Sequence, residues 1–222
     1  MKYQVISAKT CPYVQRVMIL LEEKGLEYTH ATIDLKNKPS WFEEISPLGK
    51  VPLLKLADST VLFESQAINE YLDETEGPAL QPESMVSKAQ NRAWTDLISK
   101  ITMSFGGYYY ASDKLIMEDR LQTVKGYLAQ LETSLDGGPY FNGPAFSLID
   151  AAAAPLFSRI ELLNQYHEID LLAPHSRLTA WSQALLKHPS VKRVTTEAFQ
   201  QQCLQVLKDK QVYIAQFLPE NK

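Results

Sequence analysis

Residues 7–16 read SAKTCPYVQR and join a predicted β-strand to a predicted helix. Apolar positions within Tyr3–Ile6 indicate the strand, and apolar residues recur at helical spacing over Val17–Leu21. Pro12 suits the first position of a helix, because it has no N–H group to leave unpaired and its φ angle is already helical. Cys11 is therefore predicted to lie where the strand hands over to the helix.

The position of Cys11 predicts a reactive thiol. A sulfur at a helix start faces unpaired backbone N–H groups and the positive end of the helix dipole, which favour thiolate over thiol. We therefore expect the pKa of Cys11 to lie below about 8.5, the ordinary value for cysteine. Val14 stands where a dithiol motif would carry its second cysteine, so the motif itself offers no resolving partner. Cys203, inside a predicted helix, is interpreted as a buried packing residue.

Length and charge limit the classes of function. With 222 residues the chain is long enough for two modest domains, each with its own core. Its 22 Lys and Arg residues against 26 Asp and Glu residues leave no basic field to attract nucleic acid or an anionic membrane. No apolar run approaches the ~18 residues that cross a bilayer, and the N-terminus lacks a signal-peptide pattern. We expect a cytoplasmic protein without nucleic-acid or membrane partners, and no metal site.

Hydrophobic periodicity predicts the order β-α-β-α-β-β-α for the first third of the chain. The third predicted strand, residues 50–56, contains Pro52, which cannot donate to a ladder and needs an edge position or a special backbone geometry. The sequence does not decide whether the Val51-Pro52 peptide bond is cis or trans. Beyond Pro82, amphipathic patterns predict helices over residues 84–112, 117–135, 148–165, 178–187 and 191–199, with a last stretch to 217.

The predicted domain junction lies where glycine, proline and acidic residues interrupt the periodicity. We predict a first domain over residues 1–77, a linker over 78–86 and an all-helical domain over 87–222. In the second domain, Ser147 and Asp150 have the spacing of a capping box. We interpret this pair as a helix start rather than as a catalytic pair.

Five segments together resemble the cytosolic glutathione transferases. They are Cys11-Pro12-Tyr13 at a strand-to-helix turn, Lys50-Val51-Pro52 before a hairpin, Glu64-Ser65 opening a helix, Ser147–Asp150 in an all-helical second half, and LKNKPSWF at residues 35–42. The last segment is similar to the omega class and, more loosely, to the plant lambda and dehydroascorbate-reductase classes. The resemblance spans nearly the whole chain and implies an α/β, thioredoxin-like N-terminal domain followed by an all-α C-terminal domain.

The resemblance also implies a glutathione site beside Cys11, the catalytic residue. The implied glutathione contacts are Tyr13, Lys38 at the glycyl end, Val51 and Pro52 with a cis bond at the cysteinyl part, and Glu64 and Ser65 at the γ-glutamyl end. Ser65 is also a plausible N-cap, and Lys38 taken alone reads as a solvated lysine. A second-substrate pocket is expected to involve Tyr108, Tyr109 and Trp181, for which core packing is the alternative interpretation.

The implied activity is glutathione-dependent thiol transfer through a mixed disulfide between Cys11 and glutathione, with dehydroascorbate reduction as related chemistry. Glutathione is then cosubstrate, and the partner is a small electrophile, an oxidised small molecule or a glutathionylated thiol. The family's usual assembly is a homodimer, while lambda-like members can be monomers. Two alternatives stay open: a glutathione-conjugating transferase or isomerase, and a non-enzymatic scaffold, either silently glutathione-binding or chloride-intracellular-channel-like.

Overall fold

The computed structural model describes residues 2–167 and 171–219. The first third of the chain forms the elements in the predicted order β-α-β-α-β-β-α. Their bounds are β1 (Tyr3–Ser7), α1 (Pro12–Glu23), β2 (Tyr28–Thr32), α2 (Ser40–Ile45), β3 (Leu53–Leu56), β4 (Val61–Phe63) and α3 (Ser65–Thr75). The predicted fold class, a thioredoxin-like unit followed by helices, is confirmed.

The elements after α3 are helices: α4 (Met85–Tyr109), α5 (Lys114–Thr133), α6 (Leu148–Asn164), α7 (Ser176–Lys187), α8 (Pro189–Val194), α9 (Glu197–Asp209) and a 3₁₀ helix at Tyr213–Phe217. The prediction of one helix over residues 191–199 is wrong. The Thr196 hydroxyl accepts a hydrogen bond from the Phe199 N–H at 3.2 Å, so a new helix starts there. Among the described helices, none combines the length and apolar character needed to cross a membrane.

The four strands form one sheet in the order β2-β1-β3-β4. Strand β1 pairs in parallel with β2, because the connection between them passes through α1, and antiparallel with β3. Strands β3 and β4 form a hairpin. The predicted third strand began too early, since β3 starts at Leu53 and Pro52 therefore interrupts no ladder.

Helix α1 is the wall shared by the sheet and the helical half. Val17, Leu20 and Leu21 pack in the apolar cluster beneath the sheet, whereas Ile19 belongs to the cluster of the helical half. On that second side α1 packs against α6 and α8. A helix buried on both sides is positioned firmly, so the residue at its start, Cys11, is held by both halves of the molecule.

The segment between α3 and α4 is tied to the first third of the chain by a buried ion pair. Asp73 Oδ1 lies 2.9 Å from Lys24 Nζ and accepts the Leu80 N–H at 2.8 Å, while its Oδ2 accepts the Gln81 N–H at 3.1 Å. Lys24 Nζ also donates to the Pro78 carbonyl at 2.8 Å. These contacts fix the path of the segment. The division into residues 1–77, 78–86 and 87–222 stays a prediction.

Asp150 anchors the start of α6. The predicted capping box with Ser147 is present, and Asp150 Oδ2 accepts the Ser147 N–H at 2.8 Å. Asp150 Oδ1 accepts the Phe141 N–H at 3.0 Å and the Trp181 indole N–H at 2.6 Å. The carboxylate therefore joins the start of α6, the preceding loop and α7 in one buried network.

Replacing Asp150 with Ala is expected to lower the free energy of unfolding by about 3 kcal/mol, because buried N–H donors lose their acceptor together. Urea unfolding measures this change. The comparison variant is Trp181→Phe, which removes one donor, leaves the rest of the network and opens a small cavity, and should cost about 2 kcal/mol. If Asp150→Ala costs no more than Trp181→Phe, the carboxylate is not the anchor of this network.

Candidate active site

Cys11 occupies the N-cap position of α1, and Pro12 is the first helical residue. Thr10 has a φ angle of 59°, in the left-handed region, and turns the chain from β1 towards the helix. The Gln15 N–H donates to the Cys11 carbonyl at 3.1 Å, which closes the first helical turn. The Cys11 side chain makes no capping hydrogen bond of its own, so the sulfur is not needed to start the helix.

Cys11 opens into a cavity of about 590 Å³ between the first third of the chain and helix α4. Helix α4 contributes Ser99, Met103 and Tyr110, the residue that follows its last turn. The cavity brings six of the sequence-predicted site residues together: Cys11, Tyr13, Val51, Pro52, Glu64 and Ser65.

The Val51-Pro52 peptide bond is cis and lines this cavity. Within the described residues, no backbone hydrogen bond joins Val51 to another part of the chain. Its N–H and C=O groups are thus free to pair with an extended peptide laid along them, as in the addition of a short strand to a sheet edge.

The start of α3 also lines the cavity. Glu64, with a φ angle of 66°, is the N-cap, and Ser65 is the first helical residue. The prediction that Ser65 is the N-cap is therefore wrong. Its side chain is only 5% exposed, and its hydroxyl makes no hydrogen bond with the described residues. A hydroxyl and free N–H groups at a helix N-terminus form a site suited to a carboxylate.

Lys38 does not line the cavity. It is exposed on the loop after β2, and its side chain runs to Gly49. The ammonium group is so close to Gly49 that a Cβ atom added there would lie 2.9 Å from Lys38 Nζ. The neighbours of Gly49, Leu48 and Lys50, do line the cavity. The Lys38 ammonium group therefore lies beside the rim, and Lys50 is the lysine on the cavity wall.

Opposing influences act on the Cys11 thiol. Burial raises its pKa, whereas the Val14 and Tyr13 N–H groups and the guanidinium groups of Arg159 and Arg16 lower it, and the net direction is upward. The sequence-based prediction of a lowered pKa is thus not confirmed. It considered the helix start alone, while the surrounding walls, contributed by distant segments, withdraw the thiol from water.

Family models described as the N-terminal and the C-terminal domain of glutathione S-transferase match residues 10–75 and 114–184. The chain is 31% identical over 198 residues to glutathione S-transferase omega-1 of Sus scrofa, an alignment that covers 87% of this chain and 80% of that protein. The chain belongs to the glutathione S-transferase family. It is also 33% identical over 189 residues to glutathione S-transferase L3 of Arabidopsis thaliana, covering 83% of this chain and 78% of that one.

Among solved structures, glutathione transferase Omega 3C from Trametes versicolor superposes with a TM-score of 0.76 at 29% identity, covering 87% of this chain and 89% of that chain. The resemblance to omega-like glutathione transferases is thereby confirmed, and the protein is an enzyme of the cysteine type.

The aromatic residues predicted for a second-substrate pocket lie in the core of the transferase's helical half. Tyr108, Tyr109 and Trp181 are buried, and none of them lines the cavity. Trp181 is held by Asp150 instead. Of the three consecutive tyrosines, Tyr110 is the one that lines the cavity. Successive helical residues point about 100° apart, so three consecutive tyrosines cannot share one face, and the sequence does not show which of them faces Cys11.

Sequence reasoning assigned no role to two buried arginines. The Arg16 guanidinium lies 5.0 Å from the centre of the Tyr13 ring and donates to Ser99 Oγ at 3.1 Å, so it lines the cavity beside α4. Its spacing from Tyr13, three residues along α1, is the signal that places both side chains on one face. Arg159 contacts the Thr10 carbonyl from 149 residues away, and no local pattern predicts that contact.

Proposed function

We propose that this transferase catalyses glutathione-dependent thiol transfer with Cys11 as the nucleophile. The observation that carries the proposal is the placement of Cys11 at a helix start in a cavity that the free backbone of Val51 also lines. Val14 is buried in the position of a resolving cysteine, and Cys203 is 1% exposed in the helical core. The resolving thiol is therefore a second, diffusible glutathione.

In the proposed complex, the cysteinyl part of glutathione pairs with the backbone of Val51, next to Pro52, and its sulfur meets Cys11. The γ-glutamyl end lies at the start of α3, where the Ser65 hydroxyl and helix N–H groups hold its carboxylate and Glu64 holds its ammonium group. The glycyl carboxylate extends towards Lys38, and Tyr13 lines the site beside the sulfur. The cysteinyl and γ-glutamyl contacts follow from the charge and position of groups that line the cavity, whereas the contact with Lys38, beside the rim, is one that the family resemblance implies.

The proposed cycle has two displacements at sulfur. The Cys11 thiolate attacks the glutathione sulfur of a mixed disulfide, so that a Cys11–glutathione disulfide forms and the substrate thiolate leaves and takes up a proton. A second glutathione, as thiolate, then attacks the glutathione sulfur of that disulfide. Glutathione disulfide is released, and the electron pair returns to Cys11 as a thiolate.

We extend the proposal to the partners and setting of the enzyme. Its substrates are glutathionylated thiols, small electrophiles or oxidised small molecules, and dehydroascorbate reduction is a related activity. The relatives include one named "Probable glutathione S-transferase DHAR2, chloroplastic" from Oryza sativa, which supports this class of chemistry. We also propose a cytoplasmic location, a homodimer, and the domain division at residues 1–77, 78–86 and 87–222.

Conjugation of glutathione to electrophiles should be weak. That reaction uses a hydroxyl donor to hold glutathione itself as the thiolate, and the Tyr13 hydroxyl donates to the Ser99 carbonyl at 3.3 Å. A comparison of kcat/KM for a small glutathione mixed disulfide and for an aryl halide tests the assignment. A higher value for the mixed disulfide supports thiol transfer, and a higher value for the aryl halide overturns it.

The rate of Cys11 alkylation by iodoacetamide is expected to rise with pH from about pH 6 to beyond pH 8.5. Burial raises the pKa of the Cys11 thiol, so the reactive thiolate is expected to accumulate as the pH increases. The measurement is the rate against pH, with Cys203→Ala as the control because that cysteine is buried. A flat profile over this range would show that Cys11 is already fully ionised.

A further inference from the structure

Arg159, on α6, is a buried residue whose guanidinium reaches the loop that carries Cys11. The residue is only 5% exposed to solvent. Nη2 donates to the Thr10 carbonyl at 2.7 Å, and Nη1 donates to Gln15 Oε1 and to the Pro155 carbonyl, both at 2.7 Å. Thr10 and Gln15 stand on either side of Cys11 in the sequence, so Arg159 holds the reactive residue from both sides.

All three acceptors of Arg159 are neutral. Within the part of the chain that the structure describes, no carboxylate forms an ion pair with it. A guanidinium is always charged, and burial of a charge without a counterion is costly. The position of Arg159 therefore calls for an anion that arises when the enzyme works.

The ionisable groups close to Arg159 are Cys11, Tyr109, Tyr110 and Cys203. Burial raises the pKa values of all four groups, Cys11 included, so burial alone makes none of them a permanent anion. The proposed reaction requires an anion at Cys11 alone. Of these neighbours, Cys11 and Tyr110 line the large cavity, whereas Tyr109 and Cys203 do not.

We propose that Arg159 is a positioning residue, which fixes the Cys11 loop through the Thr10 carbonyl and supplies the buried positive charge that the Cys11 thiolate faces. This inference rests on the proposed role of Cys11 as nucleophile. It gives the helical half a direct part in thiol transfer, because the charge comes from α6 and not from the thioredoxin-like unit. Gln15 orients the guanidinium and is itself held by a hydrogen bond from its Nε2 to Thr195 Oγ1 at 2.8 Å.

Other charged or titratable groups face Cys11 from the elements around it, and their effects differ from that of Arg159. Arg16 is a second buried cation that faces Cys11, together with Tyr13 and Asp96, but its hydrogen bond goes to Ser99 Oγ on α4 and not to the loop that carries Cys11. The carboxylate of Glu64 opposes a thiolate. Lys9 is exposed and therefore screened by solvent, and burial lowers the pKa of His30. The full set is Lys9, Tyr13, Arg16, His30, Lys50, Glu64, Asp96 and Tyr110.

The test compares the pH dependence of Cys11 alkylation in three variants. Arg159→Met removes the charge and is expected to raise the pKa of Cys11 by about one unit or more, with the full wild-type rate restored at high pH. Arg159→Lys keeps the charge and should remain close to the wild-type profile. The control is Arg193→Met, which removes an ion pair to Glu22 of 2.7 Å at the opposite end of α1 and should not shift the profile.

Gln15→Glu keeps the test decisive if Arg159→Met does not fold. The substitution preserves the shape of the side chain and its acceptor for Arg159, and it places an anion beside the guanidinium. The Nε2 donor to Thr195 becomes an oxygen to which the Thr195 hydroxyl can donate instead. The pKa of Cys11 should rise in this variant too. Unchanged pKa values in Gln15→Glu, and in Arg159→Met where it is folded, would overturn the proposal.

Thiol-transfer assays on the same variants separate this inference from the proposed function. If both are right, transfer in Arg159→Met is slowed at neutral pH and recovers as alkylation recovers. If alkylation shifts but transfer does not follow it, Arg159 acts on Cys11 as proposed and Cys11 is not the nucleophile of the reaction. If transfer requires Cys11 but neither profile shifts, the role of Arg159 is refuted alone.

Discussion

Replacing Cys11 with Ala is expected to abolish thiol transfer, with kcat/KM lowered at least about a thousandfold, as for other nucleophiles. No described thiol can take its place, since Cys203 is 1% exposed and lies in the helical core. The fold should be unaffected, because the Cys11 side chain makes no capping hydrogen bond. The assay is the reduction of a small glutathione mixed disulfide, with circular dichroism as the check on folding.

Cys203→Ala is the matched control for this variant, because it removes the other thiol without touching the cavity. Its kcat/KM should equal that of the wild-type enzyme. A Cys11→Ala protein that keeps its transfer rate would refute the mechanism, whatever the behaviour of the control.

Replacing Ser65 with Ala is expected to raise the KM for glutathione about thirtyfold, which corresponds to about 2 kcal/mol for a hydrogen bond to a charged group. In the proposed complex, the Ser65 hydroxyl donates to the γ-glutamyl carboxylate at the start of α3. The hydroxyl caps nothing within the described residues, so its removal should leave the free energy of unfolding nearly unchanged. The measurements are KM for glutathione and urea unfolding.

Ser84→Ala is the control for Ser65→Ala. Ser84 caps α4 and accepts a hydrogen bond from the Ser87 N–H, and it does not line the cavity. Its replacement should lower the free energy of unfolding by about 1 kcal/mol and leave KM unchanged. The account of the glutathione site is wrong if Ser65→Ala behaves like Ser84→Ala, losing stability with no change in KM.

Local sequence patterns were sufficient for most of the fold. The order of strands and helices follows from periodicity, and the capping box at Ser147 and Asp150 is a signal within four residues. The break between α8 and α9 was missed because the apolar pattern continues through it, while the cap at Thr196 depends on one hydroxyl. Hydrophobic periodicity predicts which face of a helix is buried, but it does not predict where a helix is interrupted.

For the candidate site, too, local sequence signals were predictive and contacts between distant segments were not. Cys11, Val51 and Glu64 lie at turns that the neighbouring residue types predict from the sequence. All three line one cavity in the structure. Contacts between distant segments could not be predicted from the sequence. Arg159 reaches Thr10 from α6, and Tyr110 rather than its two preceding neighbours faces the cavity. The upward direction of the pKa of Cys11 has the same origin, since burial comes from walls that local sequence does not describe.

The measurement that tests the central claim most directly is mass spectrometry of the protein after incubation with glutathione disulfide. The account predicts one glutathione in disulfide linkage to the peptide that carries Cys11, none on the peptide that carries Cys203, and loss of the adduct when glutathione is added. A protein that transfers thiols while Cys11 stays unmodified, or that carries its glutathione on Cys203, would contradict it.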